Sequence, residues 1–135
     1  MTNYDRGVRL VERPTVYHLT EDGYRHVRGA GSKGFADVVC TKPGQLLYIS
    51  CKLDGKLPQG QWDDLVEVSS WNGAIPLLAV RDLKAGCARR HREETRETPT
   101  LCRIRFVELT GRKIHRAPAD RQNWRPWTSD LVVPA

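Results

Sequence analysis

Asp37, Ser50 and Lys52 are the residues whose types and spacing could do chemistry together. They lie on two β-rich runs, 35–40 and 46–52, separated by TKPG over 41–44, a turn signal that predicts an antiparallel hairpin. With Pro43 and Gly44 as a two-residue tip, Asp37 stands opposite Ser50. With a four-residue tip it stands opposite Tyr48, and Ser50 and Lys52 stay on that same face. In either register the three project together, while Leu47, Ile49 and Cys51, with Ala36, Val38 and Cys40, take the other face and supply core. A carboxylate and an ammonium beside the glycine-rich stretch RGAGSKG (28–34) suit phosphoryl transfer. The carboxylate can hold a divalent cation, and the ammonium can stabilise charge on a phosphate or orient the attacking water. A surface ion pair between Asp37 and Lys52 would account for the same spacing. The stretch 28–34 is not a P-loop, because no Gly-Lys-Ser/Thr stands at the required distance and it leads into a strand.

The elements that must position these residues alternate in type. Leu10, Val11, Val16 and Leu19 fall at helical spacing before the stop signal Glu21, Asp22, Gly23. Pro14 is tolerated only in a first turn or at a kink, so either the helix proper begins near Glu12 or two short helices meet there. Residues 24–28 read as a short strand ahead of the hairpin. Pro58 opens a helix carrying Gln61, Trp62, Leu65, Val66 and Val68 to Trp71, closed by Asn72 and Gly73. Residues 74–80 form a continuous apolar run of the kind buried on both faces, and 101–109 alternates with Arg103 and Arg105 as a later strand. The order αβββαβ followed by β predicts an α/β fold, a mixed central sheet flanked by helices.

At 135 residues the chain fits one domain, with a core over about 5–82 and a basic C-terminal extension over about 83–135. No run approaches the roughly 18 apolar residues of a membrane span, and the first residues lack a signal peptide's apolar region, so a cytoplasmic protein without membrane contact is expected. Cys40, Cys51, Cys87 and Cys102 are spaced 11, 36 and 15 apart, which matches neither zinc spacing nor a disulfide scaffold; free thiols are expected. The net charge of +6 favours a polyanionic partner, and residues 81–127 hold nearly all the excess, with 13 Lys/Arg against 6 Asp/Glu. A solvated face that keeps the protein soluble would show the same bias. Residues 84–99, including Arg89 and Arg90, read as a mobile or weakly helical insertion.

The ordered combination GYRHVRGAGSKGFADVV (23–39), a short hairpin, YISCK (48–52) and a helix opening near Gln61 resembles the archaeal-type Holliday junction resolvases of the PD-(D/E)xK nuclease superfamily. The likeness is to the small versions carried by actinobacteria and their phages, and it covers roughly residues 5–82. It implies a restriction-endonuclease-like core and a Mg²⁺- or Mn²⁺-dependent endodeoxyribonuclease that resolves four-way DNA junctions as a homodimer, in the host cytoplasm if phage-encoded. By the resemblance, Asp37 is the central metal ligand, Lys52 the catalytic lysine and Glu12 the helical acidic ligand. The main-chain carbonyl of Cys51 completes the protein ligands. Ser32 matches a loop serine near the scissile phosphate, Arg6, Arg28 and Lys33 match cations that contact the DNA backbone, and Gln61 matches a helix residue that braces the site. Arg89 and Arg90 add candidate DNA contacts in the basic half.

Three positions depart from the family pattern. Ala36 replaces the proline before the aspartate, Pro14 follows Glu12 by two, and Ser50 stands where the family has Glu or Gln, leaving a weak hydroxyl ligand for a hard cation. A non-catalytic DNA-binding module of the same fold, or a nuclease of that fold acting on flaps or duplex sites, are the alternatives. Trp62 and Trp71 could serve a dimer interface or the core. Trp124 and Trp127 could stack on exposed bases or pin the C-terminal tail to the body.

Overall fold

The computed structural model describes residues 8–27, 35–81 and 104–128, with side chains from residue 10. A π-helical turn, Val8–Glu12, runs into α1, Arg13–Glu21. Pro14 in the first turn of α1 has no N–H to give back to the preceding turn. The wider π turn accommodates its ring without breaking the helix. Asp22 and Gly23 close α1; Gly23 takes φ +91°, a left-handed conformation natural to glycine.

Six strands follow as one sheet in sequence order. β1 is Arg25–His26, β2 Val38–Lys42, β3 Gln45–Lys52, β4 Ile75–Arg81, β5 Ile104–Leu109 and β6 Trp124–Trp127. All neighbours are antiparallel except β3 and β4, which are parallel and joined by the crossover helix α2, Gln59–Asn72. Pro58 sits at the N-cap position of α2, and Gly73, at φ +65°, ends it with its neighbour's N–H returning to the Ser69 carbonyl.

The hairpin has the two-residue tip. Lys42 pairs with Gln45, and Gly44 at φ +80° after Pro43 is the composition of a type II turn. Two apolar clusters flank the sheet. Val11 and Leu19 lie over Val38, Cys40, Leu47 and Ile49 on the α1 face; Trp62 and Leu65 lie over Val39, Tyr48 and Leu78 on the α2 face. Leu77, Leu78, Ala79 and Val80 are all buried, as their unbroken apolar run predicts for a central strand.

Several expectations need correction. The first arm of the hairpin begins at Val38, not residue 35, and extends to Lys42. Ala36 packs with Val39 and Tyr48 on the α2 face, because alternation holds only within a regular strand and residues 35–37 precede it. Trp62 belongs to the core, but Trp71 is 69 % exposed at the end of α2. β6, unforeseen, pairs with β5 and pins the C-terminal segment: Trp127 meets Phe106 edge-on, and the Trp124 indole N–H donates to the Ala119 carbonyl. The insertion at 84–99, Cys87 and Cys102 lie outside the described residues; Cys40 and Cys51 are free. No helix among the described residues is long and apolar enough to cross a membrane.

Candidate active site

The site is built where β2 begins and β3 ends. Val38 pairs with Ile49, and the Asp37 N–H also reaches the Ile49 carbonyl at 2.8 Å, so Asp37 sits one residue out of the ladder's register, in the manner of a bulge, and not directly opposite Ser50 as the hairpin parity predicts. β2 is not regular at Asp37, and the bend lets its carboxylate turn in to the sheet: Oδ2 accepts the Cys51 N–H at 2.7 Å. Within a strand the N–H and C=O of one residue point to the same side. The Cys51 carbonyl is therefore aimed at the edge that Asp37 occupies.

Glu12 joins this edge from the other layer. It ends the π turn, beside the fully buried Val11 that anchors the turn on the sheet. Burial pushes the Glu12 carboxyl above its usual range, the charge of Asp37 pushes it further the same way, and Arg13 offsets part of the shift. The Cys51 thiol registers the same two carboxylates. Desolvation first, then Asp37 and Glu12, raise it well above the ordinary thiol range, while the Thr15 hydroxyl beside it acts in the opposite sense. Pro14 thus leaves Glu12 in electrostatic reach of Asp37. Thr15, one turn on from Glu12 along α1, is fully buried, and its sequence context did not single it out.

Ser50 is buried, 6 % exposed, on the α2 face opposite Leu78, and Lys52 is half-buried at the end of β3, opposite Val80. Gln61 is exposed in the first turn of α2. Ser32, Arg6, Arg28, Lys33, Arg89 and Arg90 lie outside the described residues. The N-terminal end of α2 is bound instead to the loop between β5 and β6. The Trp62 indole donates to the Gly111 carbonyl at 2.8 Å, Asp63 accepts the Lys113 N–H at 2.9 Å, and Lys113 Nζ donates to the Leu57 carbonyl at 2.7 Å.

The donor set suits a hard divalent cation. Two carboxylates held together at a partly buried edge repel one another unless a cation lies between them, and carboxylate and carbonyl oxygens are what Mg²⁺ and Mn²⁺ take. A thiol held neutral is a poor ligand for a softer metal. No three His, Cys, Asp or Glu side chains gather as a metal site among the described residues. Two carboxylates and main-chain oxygen are what this edge offers.

A mixed sheet whose central strand carries this acidic edge, with α1 on one face and a crossover helix on the other, is the core of a restriction-endonuclease-like nuclease. The archaeal Holliday junction resolvase family matches residues 2–100, and the chain belongs to it. That family comprises nucleases that act on Holliday junctions and generally depend on a divalent metal. No curated protein matches the chain.

Proposed function

We propose that the protein is a Mg²⁺- or Mn²⁺-dependent endodeoxyribonuclease that cuts four-way DNA junctions as a homodimer. The observation that carries the reading is the Asp37 carboxylate bound to the Cys51 N–H one residue before Lys52, with Glu12 in electrostatic reach of Asp37 from the other layer. In this reading Asp37, Glu12 and the Cys51 carbonyl hold the metal, with Ser50 as a weak further ligand. Bound there, a divalent cation supplies charge for the scissile phosphate and lowers the pKa of a water. The chain's own contribution is placement. Asp37 is fixed by the Cys51 N–H, so its carboxylate is oriented before any substrate arrives. Lys52 presents an ammonium that stabilises negative charge developing on the phosphate.

Ser32 near the scissile phosphate, Arg6, Arg28 and Lys33 along the loop and N-terminus, Gln61 on α2, and Arg89 and Arg90 in the basic half are the proposed DNA contacts. Two symmetric cuts need two sites, which a two-fold dimer provides. The test is incubation with a synthetic four-way junction with and without Mg²⁺, followed by mapping of the cuts. Paired, metal-dependent nicks on opposing strands are expected. Binding without nicking in either metal would leave a non-catalytic module of the same fold, and preferential cutting of flaps or duplex would reassign the substrate.

A further inference from the structure

Two cations not used above are Arg105, on the α2 face of the sheet, and Lys56, in the connection that leaves β3 after Lys52. Lys52 pairs with Val80, and Val80 with Arg105, in one row across β3, β4 and β5. Directly opposed residues point to one face, so Lys52 and Arg105 project together with Val80 between them. At about 4.8 Å per strand their Cα atoms are about 10 Å apart, roughly three base-pair rises of B-DNA. The connection from β3 to α2 passes over Val80: a Cβ on Gly55 would lie 3.3 Å from Val80 Cγ1. Lys56, the next residue, is exposed, its N–H held by Asp54 Oδ1 at 3.0 Å.

Arg105 is exposed at the mouth of an open cleft formed by β5, β6 and the 3₁₀ turn Ala119–Arg121, where Asp120, Trp124 and Arg125 also lie. Glu108 neutralises Arg125 through bonds of 3.0 and 3.2 Å. Asp120 adds one acid to the wall. None of the salt bridges among the described residues engages Lys56 or Arg105, and residues 104–128 carry six Lys/Arg against two acids.

We infer that Lys56 and Arg105 form a track for the phosphodiester backbone of a DNA arm leading away from Lys52 across β4 and β5. The occupant follows from charge and spacing: the exposed Arg105 guanidinium extends the row that starts at Lys52, at an interval a duplex backbone can follow, and the exposed Lys56 comes directly after Gly55, where the connection crosses Val80 between them. Arg105 lies past residues 2–100, so half of the track belongs to the segment beyond the family match. The inference rests on the nuclease reading for its direction, since Lys52 marks the cut.

The test is fluorescence anisotropy of the full chain on a labelled four-way junction and on a labelled linear duplex, over about 50 to 200 mM salt. The double variant Lys56→Ala/Arg105→Ala is expected to weaken both complexes at least tenfold at the low-salt end. It should make the slope of log K against log salt shallower by nearly two, at about 0.9 per phosphate contact. Arg105→Lys keeps the wild-type slope, and Arg125→Ala, whose charge Glu108 already offsets, changes it by much less than one. Cutting by the wild type is scored on the same junction. Slope loss in the double variant with an uncut junction would remove the nuclease reading and keep the track. A cut junction with an unchanged slope would overturn the track and keep the reading, and a wild type that binds neither DNA would overturn both.

Discussion

In the proposed site Asp37 has two tasks that one substitution separates. An asparagine there still accepts the Cys51 N–H through its amide oxygen but carries no charge. Asp37→Asn should therefore abolish cutting, by roughly two orders of magnitude or more, while leaving junction affinity equal or slightly higher. It also relieves Glu12 of the neighbouring charge that helps raise its pKa, so the Tm of the metal-free variant at neutral pH should exceed that of the wild type. Gel assays of a labelled junction and a thermal melt in EDTA read the two effects. Cutting close to wild type would remove this carboxylate from the chemistry. Ser50 poses the converse case. Its side chain is buried opposite Leu78, so Ser50→Glu places a carboxylate where an unneutralised charge is costly. The variant should melt earlier than wild type in EDTA, recover when Mn²⁺ or Mg²⁺ is added, and cut at a lower metal concentration. A melt indifferent to metal would mean that this position does not face the cation.

Among the elements, the hairpin and both helices were legible because their signals are local. Pro43 and Gly44 specify a turn, Pro58 and Gly73 bracket α2, and the parity of two strands follows from the tip alone. What the sequence concealed was long-range. The short β6 has Pro126 in its middle and is ordered by tryptophans that find partners 21 and 62 positions away: Trp127 on Phe106 on one face, Trp124 beside Trp62 at 6.1 Å on the other. The electrostatic proximity of Glu12 to Asp37 was legible only through the family resemblance, since hydrophobic spacing places Val11 on the sheet but does not say which strand end lies beside Glu12. The row from Lys52 to Arg105 needed the pairing of β4 with β5, across 22 residues outside the described part of the structure. Trp62 joins α2 to the β5–β6 loop through its indole and packs on Trp124. Trp62→Leu should destabilise the fold by roughly 2–4 kcal/mol, measured by urea denaturation. On α1, His18 is 3 % exposed against Phe106; burial lowers its pKa, with Asp22 opposing. A depressed folded-state pKa contributes stability above the unfolded value, about 6.5, that is lost as the pH falls below it. The Tm of wild type should drop from pH 6.5 downward more steeply than that of His18→Leu, and parallel profiles would contradict a buried neutral imidazole.

For the whole molecule, the proposed resolvase must present two active edges to one junction, so sedimentation should give a species of about 31 kDa, twice the single chain. A 15.4 kDa monomer, both free and on DNA, would leave a nickase at most. The two borders of the described sheet restrict how such a pair can form. β1 has two residues, and β6 has four, of which Pro126 offers no backbone donor to a further strand. Two copies cannot readily zip these borders into one continuous sheet, as many strand-paired dimers do. In the proposed dimer, a contact made by side chains on helices and sheet faces would leave the angle between the two cutting centres free to follow the angle between the arms of the DNA.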